Sequence, residues 1–125
     1  MARKIIYWVT TGVIAAFMCF AAFSYLSGSP QAVQGFAMVG YPQQLRIILG
    51  IAKPLGAIAL LVPGFLRLKE WAYAGFTFAW ICAFFAHYLA GQKTEAIVPV
   101  VSLALLFVSY MTRPPNRTWR PTPAL

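Results

Sequence analysis

The chain has 125 residues, of which 61% are hydrophobic, 16% aromatic and only 10% charged, and its mean hydropathy is +0.72. That composition belongs to a chain whose solvent is lipid, and at about 20 apolar residues per crossing helix it leaves no length for a soluble catalytic domain. Ten Lys and Arg oppose two acids, Glu70 and Glu95, giving a net charge of +8; most of these cations stand at the ends of apolar runs, which points to anionic lipid and a positive-inside bias rather than to nucleic acid.

The first apolar run, Ile5 to Leu26, is 22 residues long without a charge and follows Arg3 and Lys4. It exceeds a signal-peptide core and is followed by further apolar runs, so it reads as a retained first span over residues 5–27. Ser29-Pro30 then offers an N-cap and a first-turn proline, while Gly40 and Pro42 stop the helix. The segment between carries Ala32, Val33, Phe36, Ala37 and Val39 against Gln31 and Gln34, a short amphipathic helix for the outer interface. Further spans are expected over 43–62, stopped by Pro63-Gly64, over 68–90, and over 95–112. The basic, proline-rich tail 113–125 is not expected to be helical.

The expected fold is therefore all-α: a four-span up-down bundle with one interfacial helix between spans one and two. Arg3 and Lys4, Arg67 and Lys69, and Arg113, Arg117 and Arg120 all fall on one side of it, which predicts cytoplasmic termini. Small residues on the third span, Ala72, Gly75, Ala79, Cys82, Ala86 and Ala90, recur at helical spacing and predict a face for a closely packed helix. Phe76, Phe78, Trp80, Phe84 and Phe85 occupy other registers and read as core or lipid-facing aromatics. Trp71, Tyr73 and Tyr88 lie near span ends, as interfacial anchors do.

Gly40-Tyr-Pro, the run Leu49-Gly-Ile-Ala-Lys-Pro-Leu-Gly through to Gly64, Arg67-Leu-Lys-Glu-Trp-Ala-Tyr-Ala-Gly-Phe76, the helix ending in His87 and the closing Ser109-Tyr110 together resemble the DoxX-like family of small bacterial membrane proteins. The resemblance covers nearly the whole chain and implies a four-helix fold in the bacterial inner membrane. Through the family's name it also implies a link to a terminal quinol oxidase or to a thiosulfate:quinone oxidoreductase subunit. Other members resemble partners in membrane thiol homeostasis, and distant eukaryotic relatives resemble receptor-assembly chaperones.

Read for themselves, the residues offer two polar constellations. Lys53 lies eleven residues after Pro42 and ten before Pro63, so its backbone is roughly 15 Å from either end of its span. A lysine at that depth costs about 2.5 to 3.5 kcal/mol on insertion scales and needs a partner. Pro54 frees the carbonyl of Gly50 as one candidate, and Gly50 and Ala57 leave space on the same face. Two roles stay open: an ammonium bound internally to carbonyls and a hydroxyl, or a cation or proton donor facing a cavity for a quinone oxygen or a lipid phosphate. Toward the outer face Arg46, His87 and Glu95 share a depth. They form either an Arg46–Glu95 ion pair with a neighbouring histidine, or a polar gate in which His87 titrates and Arg46 anchors an anion. On span four Glu95, Ser102, Ser109 and Arg113 recur on one face, as a polar lining or as interhelical glue. Glu70 is expected in the first turn of span three, where a carboxylate meets the positive helix end.

The candidate ligand-binding residues are thus Lys53, Arg46, His87, Glu95, Ser102 and Ser109, with a quinone as candidate ligand. One histidine cannot give a monomer a bis-His haem, no Gly-rich loop follows a strand, and Cys19 and Cys82 form no CxxC and sit inside apolar runs, so neither haem, nucleotide, metal site nor dithiol relay is expected. The first span lacks the acid on which small multidrug exporters rely, and the strong charge bias excludes a dual-topology fluoride channel. Two function classes remain: a quinone-linked redox accessory subunit whose electrons come from a membrane partner subunit, and a non-enzymatic assembly or transport factor working in the lipid bilayer.

Overall fold

A computed structural model of the chain describes residues 2–118. Trp119 and Arg120 of the expected basic tail lie outside the described residues. Five α-helices follow one another: α1 (Ala2–Ser27), α2 (Pro30–Met38), α3 (Gln43–Leu61), α4 (Leu66–Leu89) and α5 (Ile97–Met111), with a 3-10 turn at Pro115–Arg117. No strand occurs among the described residues.

The four long helices form a ring in which α1 packs on α3 and α5, and α4 packs on the same two neighbours. Polar contacts fix their directions. Arg3 at the start of α1 reaches the Met111 carbonyl at the end of α5, and Lys69 at the start of α4 reaches carbonyls at the end of α3. Arg46 at the start of α3 meets the Tyr25 carbonyl at the end of α1. Consecutive long helices therefore alternate in direction, as short links require. One end of the bundle gathers Arg3, Lys4, Arg67, Lys69, Arg113 and Arg117 and is the basic end; the opposite one, expected from the sequence to face outward, is the outer end.

Helix α2 is built as its sequence dictates. The Ser29 hydroxyl accepts from the Ala32 amide at 3.2 Å, Pro30 opens the first turn, and Gly40 takes φ +80 beyond the end, so orphan amides and the chain reversal are both provided for. Ala32 and Phe36 form its buried face, with Phe36 edge-on to Tyr25 at 5.1 Å.

Three helices, α1, α3 and α4, are long and apolar enough to cross a membrane, and α5 is apolar but has 15 residues. At 1.5 Å per residue it spans about 22 Å, less than a full hydrocarbon core of about 30 Å. The expected fourth span over 95–112 is thereby shortened. Glu95 lies in the turn before α5 and is exposed, and Pro99, which gives up no hydrogen bond in a first turn, is buried there.

One further expectation about packing is corrected. The small-residue face of α4 is not the seam inside the ring: Gly75 and Cys82 are exposed, while Tyr73, Phe76 and Trp80 form its inward face. The small residues that admit neighbours lie on α3 instead. A Cβ on Gly56 would stand 2.5 Å from Phe76 Cζ, and one on Gly50 would stand 2.9 Å from Leu26 Cδ2. Phe76 stacks on Trp80 with centroids 5.5 Å apart, and with Ile14, Met18, Leu60 and Leu106 they fill the core. Phe20, Phe23, Phe78 and Phe107 point outward, an inside-out distribution appropriate to lipid.

Candidate functional site

Lys53 does not use the carbonyl that Pro54 was expected to free. Helix α3 continues through Pro54, and the Lys53 ammonium lies 3.8 Å from Met18 Sδ and 5.5 Å from the Tyr25 ring centroid, both on α1. Side chains on a helix lean toward its N-terminus, and the N-terminus of α3 is at the outer end. The half-buried stem therefore carries the charge from mid-helix toward Tyr25, where the ring face offers a cation–π contact.

The outer-end constellation is not assembled. Arg46 donates from Nε to Gln43 at 2.8 Å and to the Tyr25 carbonyl, His87 Nδ1 pairs with Gln92 at 2.9 Å, and no Arg46–Glu95 ion pair forms. Arg46 thus meets a carbonyl in the last turn of α1, where backbone acceptors lack intrahelical partners. Ser102 and Ser109 are both buried in α5. Ser109 sits in a dry hydroxyl cluster, 2.6 Å from Thr11 Oγ1 on α1 and 2.7 Å from the Tyr73 hydroxyl on α4, and so ties three helices together.

That cluster leads to a site at the basic end. Glu70 lies in the second turn of α4, since the helix begins at Leu66, and its carboxylate is held by Arg113 and by the Tyr110 hydroxyl at 3.0 Å. This ion pair, not the helix end, accounts for Glu70. Arg113 is further fixed by its Nε–H on the Tyr110 carbonyl at 2.8 Å and by stacking 3.7 Å over the Tyr110 ring. Beside the clamp a groove of about 490 Å³ opens between α4 and α5. Glu70, Tyr73 and Tyr110 supply its polar end, and Ala74, Leu106 and Phe107 belong to its apolar wall. It offers hydrogen-bonding groups at one end and, apart from Thr77, whose hydroxyl donates to the Tyr73 carbonyl at 2.7 Å, hydrocarbon along the rest, the form expected of a site for an amphiphile.

Behind the groove two buried cations close the end of α3. Lys69, only 1% exposed, donates to the carbonyls of Ala59 at 2.8 Å and of Val62. Arg117 donates to Leu60 and Leu61 at 3.0 Å each and lies 4.5 Å from the Trp8 ring centroid. Cations at a helix C-terminus satisfy orphan carbonyls and meet the negative end of the dipole. Two charges that look topogenic in the sequence are thus structural.

Among the described residues no group of three or more His, Cys, Asp or Glu could hold a metal, and Cys19 and Cys82 are exposed free thiols on the outer surface. The Glu70, Tyr110 and Arg113 side chains thus form one hydrogen-bonded cluster beside the groove. Glu70, Tyr73, Tyr110 and Arg113 were not among the candidate ligand-binding residues. Their signal was the recurrence of polar side chains at three- and four-residue spacing, Glu70-Tyr73-Thr77 on α4 and Tyr110-Arg113 at the end of α5 and just beyond it, converging on one end.

Residues 9–109 match the model of the DoxX-like family. The chain belongs to the DoxX-like family. No curated protein and no solved structure matches it. The matched segment of this DoxX-like protein contains Lys53, Glu70, Tyr73 and Ser109, and it ends before Arg113 and Arg117.

Proposed function

We propose that this DoxX-like protein is a multi-pass protein of the bacterial inner membrane with both termini cytoplasmic. In this reading it binds an amphiphile in the α4–α5 groove and acts as a quinone-linked accessory subunit, not as an enzyme on its own. The observation that carries the reading is the groove itself, with apolar walls running to a polar end made by Glu70, Tyr73 and Tyr110. A quinone headgroup presents flat carbonyl oxygens that accept from phenols, and its quinol presents hydroxyls that donate to a carboxylate; an isoprenoid tail needs only the apolar wall and the lipid beyond it. Electrons would come from a membrane partner subunit. The orientation rests on the collection of Arg3, Lys4, Arg67, Lys69, Arg113 and Arg117 at one end.

The test is mass spectrometry of organic extracts from gently purified protein. Wild type is expected to carry a stoichiometric quinone, Ala74→Phe, which fills the groove from an exposed position, to lose it, and Lys53→Met to retain it. Bulk lipid alone in all three overturns the reading. A non-enzymatic assembly or transport role is favoured by one observation, the outward face of α4 at Gly75, where an added Cβ meets nothing within 4 Å. Recovery of a stoichiometric membrane partner without any ligand, lost in Gly75→Leu, supports that role.

A further inference from the structure

A second groove, of about 610 Å³, lies around the corner of Tyr110 from the first, between the start of α1 and the chain that leaves α5. Its cationic groups are Arg3, Lys4 and Arg113, its hydroxyls are Thr112 and Thr118, and no carboxylate lines it among the described residues. The three cations are not equally committed. Arg113 is neutralised from the far side by Glu70. Arg3 is held in place by a single bond from its guanidinium to the Met111 carbonyl at 3.0 Å, which leaves its remaining N–H donors for the groove. Lys4 makes no hydrogen bond or ion pair with a described residue. An excess of two positive charges therefore faces a polar cleft, one of them on a guanidinium already oriented by the protein.

The apolar surroundings say what form of anion fits. Ile5, beside Lys4, is 62% exposed, and Met111 on the opposite rim is 55% exposed. Both continue the hydrocarbon-facing surface of α1 and α5 up to the cations. A ligand with a phosphate in the groove and acyl chains along these two residues satisfies both surfaces at once, whereas a free phosphate uses only the first. We infer that the groove between the start of α1 and the α5 exit binds a phosphate group through Arg3 and Lys4, supplied as the headgroup of an anionic phospholipid. The site is separate from the α4–α5 groove, and neither Arg3 nor Lys4 touches the latter.

Native mass spectrometry of the full chain in detergent tests this, with phosphatidylglycerol, phosphatidylcholine of the same acyl chains, or inorganic phosphate added in turn. Phosphatidylglycerol is expected to give a one-to-one adduct that phosphatidylcholine does not. Lys4→Gln should weaken it about fivefold, and Arg3→Gln with Lys4→Gln about thirtyfold, since each cation near a membrane surface contributes on the order of that factor. Arg67→Gln removes one charge at the same end but outside the groove and should leave the adduct unchanged. An inorganic phosphate adduct with the same dependence on Lys4 keeps the phosphate site and makes its source soluble. Equal weakening by Lys4→Gln and Arg67→Gln, or no preference for phosphatidylglycerol, overturns the inference, because binding would then follow net charge alone. Neither outcome bears on the quinone extraction.

Discussion

At the scale of the residue, the Glu70–Arg113 ion pair and the caps that Lys69 and Arg117 place on the end of α3 organise the basic end. Glu70 accepts from both Arg113 and Tyr110, and Arg113 is 9% exposed in its side chain. Removing one partner of such a pair strands the other, while removing both relieves that penalty. Glu70→Gln and Arg113→Gln are each expected to lower unfolding stability in detergent, and the double variant to lose less than the sum. The coupling energy should lie at about 0.5 to 3 kcal/mol. Strict additivity in a double-mutant cycle would show that the two groups act independently. The residue scale is also where the sequence is least legible. Lys53 is readable as a mid-span cation from its position alone, but the lean of its stem to Met18 and Tyr25 depends on α1, more than 25 residues away in the chain. Lys69 and Arg117 show the converse. A cation at the end of an apolar run reads as topogenic, and only the fold reveals that the carbonyls of Ala59 to Val62 lie within its reach.

At the scale of the element, helix identity and order follow from apolar runs, caps and breakers. Ser29-Pro30 and Gly40 bound α2, and Pro63-Gly64 ends α3, with Gly64 at φ +78. Which face of each helix turns inward is less legible, because every face of a lipid-dissolved helix is apolar and periodicity loses its contrast. On α4 the small residues recur at helical spacing, yet the bulky Tyr73, Phe76 and Trp80 face inward and α3 supplies the complementary space. Gly56→Ala should accordingly destabilise by about 1 to 3 kcal/mol, the cost of overpacking a filled core, because Phe76 has to move. Gly75→Ala, with nothing within 4 Å of the added carbon, should be neutral or slightly stabilising. Thermal unfolding of the two variants in one detergent compares them, and equal effects would place Phe76 elsewhere.

At the scale of the whole molecule, the ring of α1, α3, α4 and α5 converts a one-dimensional charge bias into a polarised object. Its basic end holds two clefts on either side of Tyr110, one amphiphilic and one cationic, and α2 packs on α1 and α3 at its outer end. The family segment, residues 9–109, covers α4 and most of α5 and so all of the amphiphilic groove's lining except Tyr110, while Arg3, Lys4 and Arg113 fall outside it. The groove is the feature on which the proposed quinone role turns. It is tested most directly by a photoreactive phenylalanine analogue in place of Phe107, on the groove wall, or of Phe78, which is 69% exposed elsewhere on α4. After irradiation in native membranes, the account expects a discrete quinone-mass adduct at position 107 and only mixed phospholipid adducts at position 78. The same phospholipid mixture at both positions would contradict it.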